Sequence, residues 1–220
     1  MLAAVVRILH ISDPHAQTET MERLHNLVLA QEDCDVVALT GDCVSESCKQ
    51  IPQAWNLWPQ KLLLSVPGNH DLDNTFDNLG YWEHRPPWVR RFDDLIFVGL
   101  AKLSAAPIAE EISKQGCLEW EGCRAVVLLS HRRPVFNPST DLANFLMAFV
   151  GSRPLLVLHG DYHPSGFCGA MWDDTERLGD GLVFRSNVYS AASGRRGLGH
   201  RIEWNGKIFH CTEVRGKRGA

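Results

Sequence analysis

Short apolar, β-branched runs recur along the chain: Val5 to Ile11, Val36 to Thr40, Leu62 to Val66, Leu95 to Leu100, Ala125 to Ser130, Leu155 to Leu158 and Leu182 to Phe184. Continuous runs of this length predict strands buried on both faces, as in sheets covered by other layers. Between some of them the period becomes helical. Thr18 is placed to cap a helix with Met21, Leu24, Leu27 and Val28 on one face. Ser139 is placed to cap another, with Leu142, Phe145, Leu146 and Phe149 along one stripe. Near the end, Trp204-Asn205-Gly206-Lys207 predicts a hairpin. Asn-Gly suits a type I′ turn, where both central residues need φ > 0. The pattern as a whole predicts an α/β sandwich with an antiparallel pair at its C-terminal end, and it contains no internal repeat.

Composition narrows this picture. The chain has 220 residues, of which 45% are hydrophobic and 22% charged, as in a globular protein with a sizeable core. No linker or composition break divides it, so a single domain over residues 1–220 is expected. A formal net charge of -4 gives no sign of a nucleic-acid or anionic-membrane partner. The basic end, Arg215 to Arg218, reads as a solvated tail. No apolar run approaches the ~20 residues of a membrane helix. The first residues lack the basic region of an export signal, so the cytoplasm is the expected location. The seven cysteines are odd in number and form no C-x-x-C pair, which predicts reduced thiols.

The chemistry lies just beyond the ends of these runs. The first is followed by Asp13-Pro14-His15, the second by Gly41-Asp42 and the third by Gly68-Asn69-His70-Asp71. The run from Ala125 ends at His131, and the run from Leu155 leads into His159-Gly160-Asp161-Tyr162-His163. Ligands of open α/β sheets bind at the C-terminal ends of strands, so these groups are expected at one edge. Carboxylate oxygen and imidazole nitrogen are the usual donors to Mn²⁺, Fe and Zn²⁺. A glycine before Asp42, and another before Asn69, lets the backbone turn so that the side chain points at a metal. One carboxylate can bridge two ions about 3.5–4 Å apart, the spacing of two-metal phosphatases.

In order and spacing these blocks resemble the calcineurin-like metallophosphoesterase superfamily, whose motifs run D-x-H, G-D, G-N-H-[D/E], H and G-H-x-H. The resemblance covers the chain from about Ile8 to His163. It implies a four-layer α/β/β/α sandwich with mixed sheets, to which the C-terminal hairpin also belongs. It implies two divalent ions, one held by Asp13, His15, Asp42 and His163, the other by Asp42, Asn69, His131 and Asp161, with Asp42 bridging. One position departs: Asp161 stands where the family has the first histidine of its last block. An aspartate favours a harder ion there, so Mn²⁺ is expected ahead of Fe, Zn²⁺, Mg²⁺ or Ni²⁺. Two cations would lower the pKa of a bridging water, and the resulting hydroxide would attack phosphorus in line. His70 is placed to protonate the leaving oxygen, with Asp71 orienting it.

The expected substrate is a small phosphate ester. The compact length resembles the small phosphodiesterase branches, some of which cleave cyclic nucleotides. The alternatives are a phosphomonoesterase or phosphoprotein phosphatase, and a non-catalytic scaffold such as the retromer subunit of this fold, which has lost catalytic residues. Oligomeric state is not legible. Arg132 and Arg133 follow His131 and could clamp a phosphate, or be surface arginines. Leu72 to Asp93, with Tyr81, Trp82, His84, Arg85, Trp88, Arg90 and Arg91, reads equally as a packed surface loop or a substrate-stacking rim. His159 is expected buried or behind the ligands, Cys43 packed, and His10, His25, His84, His200 and His210 structural.

Overall fold

The structure, a computed structural model, describes residues 5–15, 26–43, 62–71, 87–100, 120–131, 150, 153–160, 171–172, 176–178, 182–184, 187–189 and 198–215. The strands are β1 (Val6–Ile11), β2 (Val36–Leu39), β3 (Leu62–Ser65), β4 (Trp88–Phe92), β5 (Leu95–Leu100), β6 (Ala125–Ser130) and β7 (Leu155–His159), followed by β8 (Met171–Trp172), β9 (Glu176–Leu178), β10 (Leu182–Phe184), β11 (Asn187–Tyr189), β12 (Leu198–Trp204) and β13 (Phe209–Arg215). Every apolar run predicted as a strand is one, with ends moved by a residue at most.

Two mixed sheets form the body. The first has the order β13-β12-β1-β2-β3, and the second β4-β5-β6-β7-β11-β8; β9 and β10 pair separately. β1, β2 and β3 run parallel, as do β5, β6 and β7. Side chains alternate across a strand, so each strand feeds two layers. Val6 and Ile8, Val36 and Ala38, Phe97, Val127 and Leu129, Leu156 and Leu158, and Ile202 and Trp204 share one core cluster. The alternate positions Leu9, Ile11, Val37 and Leu39 pack instead with Leu27 and Val28. Leu27 and Val28 belong to the helical residues 26–29, so the predicted apolar face of the first helix covers the outside of the first sheet. The rest of that helix, and the second one apart from helical Val150, lie outside the described residues. No helix among the described residues is long and apolar enough to cross a membrane.

Two indoles join the sheets at opposite ends. Trp88 Nε1 donates to the Ser65 carbonyl at 3.1 Å, at the C-terminal end of β3. Trp204 Nε1 donates to Asp94 Oδ1 at 2.8 Å, in the turn before β5. Gly99 makes room for the first of these, since a Cβ there would fall inside the Trp88 ring. Trp88 is therefore a core residue. Arg91 donates to the carbonyls of Asp93 and Glu121, and Arg90 to that of Val89. This part of the supposed rim is an edge strand, β4, antiparallel to β5.

The C-terminal hairpin is present but its turn differs from the prediction. Trp204 pairs with Phe209, so the loop is residues 205–208, not two residues. Gly206 has φ 85°, whereas Asn205 is not among the left-handed residues. The Asn205 carboxamide oxygen accepts the amides of Lys207 and Ile208, both at 3.0 Å. Asparagine here closes the loop with its side chain, and a type I′ backbone is not needed.

Candidate metal centre

The C-terminal ends of β1, β2, β3 and β6 converge on the Asp42 carboxylate. The Asp13 amide donates to the Gly41 carbonyl and the His15 amide to the Asp42 carbonyl, each at 2.9 Å, which lashes the segment after β1 to that after β2. Gly160, just after β7, donates its amide to the His131 carbonyl at 2.8 Å. Both sheets thus contribute to one edge.

Backbone conformation there is unusual. Asp13 (φ 54°), His15 (φ 51°) and Asp42 (φ 51°) all lie in the left-handed region, where a side chain costs roughly 1–2 kcal/mol. The only other such residue carrying a side chain, among those described, is Asp93 in the β4–β5 turn. Of the two glycines predicted to turn the chain, Gly41 does so with φ 92°. Gly68 has another reason to be glycine: a Cβ would overlap the Asp42 carboxylate.

Asp42 is 2% exposed, and its two oxygens have different surroundings. Oδ1 accepts the His70 amide at 2.9 Å. Oδ2 faces three imidazole Nε2 atoms, at 3.5 Å from His131, 3.6 Å from His15 and 3.9 Å from His70. These distances are too long for hydrogen bonds. Those to His131 and His15 suit shared coordination, since two ligand atoms each about 2.1 Å from one ion sit about 3.0–3.6 Å apart at angles of about 90–120°, and His70 lies beyond that range. Single ligand atoms of Asp13, Asp42 and His131 all lie within 4.8 Å of one another.

His131 carries a second sign of the same chemistry. Its Nδ1 lies 2.7 Å from the Thr40 carbonyl, an acceptor only, so Nδ1 holds the proton. In the neutral ring Nε2 then presents a lone pair, and it points at Asn69 Oδ1, 3.0 Å away. Two acceptors facing each other beside a carboxylate fit a cation between them. The residues present therefore fit a divalent ion.

Of the other predicted residues, the structure describes His70 and Asp71. His70 is the open member: its side chain is 43% exposed, and its ring meets that of His15 edge-on at 5.2 Å. Asp71 is buried, and its Oδ2 accepts the Gly68 amide at 2.7 Å, closing the turn that carries Asn69 and His70. Asp161, His163, Arg132 and Arg133 lie outside the described residues. Cys43 packs with Leu39 and Leu27, and burial, aided by the nearby carboxylates of Asp71, Asp42 and Asp13, pushes its thiol pKa well up.

Below the edge is a polar layer that no motif marked. His10, fully buried, places Nε2 2.9 Å from Thr40 Oγ1 and stacks at 6.0 Å on His200, its partner across β1 and β12. Burial, with His200 and then His159 nearby, holds His10 well below the usual histidine range, and burial takes His200 down to about 4. Ser12 donates to the Asp13 carboxylate and lies 3.2 Å from the Thr40 carbonyl. The only sequence signal for Ser12, Thr40 and His10 is adjacency: each lies within three positions of a motif.

Residues 6–188 match the calcineurin-like phosphoesterase family, and the chain belongs to that family of metal-dependent phosphoester hydrolases. No curated protein sequence matches it. Among solved structures it resembles the purple acid phosphatase PPD1 from yellow lupin (Lupinus luteus) seeds, with a TM-score of 0.60 and 12% identity. The alignment covers 99% of this chain and 53% of the lupin enzyme, so the chain spans about half of that protein's length. It resembles GAP50, the anchor in the inner membrane complex of Plasmodium, with a TM-score of 0.60 and 10% identity over 99% of this chain and 87% of that one. It also resembles a dimetal phosphatase from Danio rerio, with a TM-score of 0.56 and 10% identity over 97% and 99% of the two chains. At such identities the likeness is one of fold.

Proposed function

We propose that this chain hydrolyses a phosphodiester at a two-ion centre. The observation that supports the centre is the Asp42 carboxylate oxygen facing the imidazole nitrogens of His131 and His15 at 3.5 and 3.6 Å. In this reading Asp13, His15, Asp42 and His163 hold one ion, and Asp42, Asn69, His131 and Asp161 the other. When bound, such ions supply an activated water and neutralise charge on the phosphoryl group.

The chain's own residues do the rest. Asp42 sits between the two ligand sets with its Oδ1 anchored by the His70 amide, so its Oδ2 is fixed in place. Thr40 holds His131 in the tautomer whose Nε2 lone pair can ligate. His70, on the open side, donates a proton to the leaving oxygen. Asp71 braces the turn beneath it.

Preference for a diester rests on charge. A monoester carries a second charge and calls for a richer cationic pocket. Two of the arginines available for that, Arg90 and Arg91, are committed to backbone carbonyls. Of the remaining candidates, Arg85, Arg132 and Arg133, Arg132 is the proposed phosphate contact. Asp161, a hard oxygen donor, makes Mn²⁺ the favoured ion. The Plasmodium anchor shares this fold, so fold alone does not choose between enzyme and scaffold; the assembled acid and imidazole cluster favours the enzyme.

The test is a matched panel of phosphate mono- and diesters, including cyclic nucleotides, assayed with Mn²⁺ or Zn²⁺. Diesters should turn over faster and Mn²⁺ should support more activity. Asp161→His should improve the use of Zn²⁺. A clear preference for monoesters would reverse the substrate assignment, and no hydrolysis with any ion would favour the scaffold.

A further inference from the structure

We propose that Ser12 is a positioning residue that holds Asp13 as a one-oxygen ligand, by capping the other oxygen with its hydroxyl and with the backbone of Gly160. Ser12 is fully buried one residue before Asp13. Its Oγ lies 2.5 Å from Asp13 Oδ2, in the range of charge-assisted O–H···O⁻ bonds. The Thr40 carbonyl, 3.2 Å away, is taken up by His131 Nδ1, so the single hydroxyl proton of Ser12 goes to the much closer Asp13 oxygen.

Gly160 closes the arrangement from the other sheet. Its φ is not left-handed, so backbone freedom does not explain a glycine there. Space does: a Cβ at 160 would land on Ser12 Oγ and on Asp13 Oδ2. The end of β7 is pressed against the same carboxylate oxygen that Ser12 bonds, and it is fixed there by the Gly160 amide on the His131 carbonyl. With Oδ2 enclosed by a hydroxyl and a backbone, Oδ1 is the oxygen Asp13 presents to a metal. Asp13 then serves one ion, while the bridging role stays with Asp42.

This inference rests on the two-ion reading of the centre, and its test separates the two. Binding of Mn²⁺ to the full chain is followed by calorimetry, and unfolding of the metal-free protein by urea titration. Wild type should take up two ions. Ser12→Ala should weaken one binding event by about 10-fold or more, the usual cost of losing a hydrogen bond behind a ligand. The other event, which does not use Asp13, should stay within about threefold. Gly160→Ala, which keeps the hydroxyl but drives a methyl onto it, should weaken the same event. Metal-free stability of Ser12→Ala should fall by no more than the worth of one buried hydrogen bond, with the steepness of the urea transition unchanged, and this sets positioning apart from a general loosening. If both events weaken together, or neither does in either variant, the role of Ser12 is wrong while the centre stands. If wild type takes up no divalent ion, the centre itself is wrong.

Discussion

At the scale of single residues, the site is organised around atoms with distinct duties. Asp42 is the residue on which the imidazoles of His15, His70 and His131 converge. Asp42→Asn should therefore remove more activity than loss of Asp13, His15 or His131 alone, with the fold retained; turnover and circular dichroism of the four variants check this. His70 is the exposed imidazole of the group, beside the carboxylate and open to substrate. If it protonates the leaving oxygen, His70→Ala should slow alkyl or nucleoside esters by about 10²–10⁴-fold and nitrophenyl esters much less. Equal losses across leaving groups would assign it to binding. Asp13, Asp42 and their neighbours were legible in the sequence because metal chemistry restricts residue type and spacing. Ser12 and Thr40 were not, because hydroxyls occur everywhere and only their contacts mark them. The left-handed backbone at Asp13, His15 and Asp42 was equally silent, since only glycine announces that conformation in a sequence.

At the scale of elements, the strands buried on both faces were read nearly to the residue, because their apolar runs are unbroken. β4 was missed: Trp88-Val89-Arg90-Arg91-Phe92 is an edge strand whose arginines bond to backbone carbonyls, and it broke the apolar pattern. β8, β9 and β11 are too short to show a period. The pairing of β1 with β12 has a consequence of its own. His10 and His200 sit opposite each other in the register that also pairs Ile8 with Ile202, and burial holds both below the usual histidine range. A histidine whose folded pKa is depressed stays neutral in the fold but takes up a proton when unfolded. Stability should then be intact above pH about 6.5 and fall as the pH drops toward about 4. For His200 alone the loss is about 3 kcal/mol. Urea unfolding across this range should show the decline, and His200→Leu should flatten it. An unchanged slope in that variant would place the acid sensitivity elsewhere.

At the scale of the whole molecule, the two sheets are held together by an apolar interior with an indole hydrogen bond at each end. Trp88→Phe and Trp204→Phe keep most of the buried ring and lose the N–H, so each should cost about 1–3 kcal/mol, because a carbonyl or carboxylate loses its donor. The sites are far apart, so the double variant should show the sum to within about 0.5 kcal/mol in denaturant unfolding. A marked departure from additivity would mean that the sheets slide as rigid plates. The three left-handed positions at the metal edge reach further still, into how such a fold drifts under selection. Glycine at 15 would relieve roughly 1 kcal/mol of backbone strain and remove a proposed ligand, whereas glycine at 13 or 42 would also strand the Ser12 hydroxyl or the His70 amide. Heat resistance and turnover therefore pull position 15 in opposite directions. A lineage released from the need to hydrolyse anything would be drawn toward glycine there, and would become a sturdier protein as it forgot its chemistry.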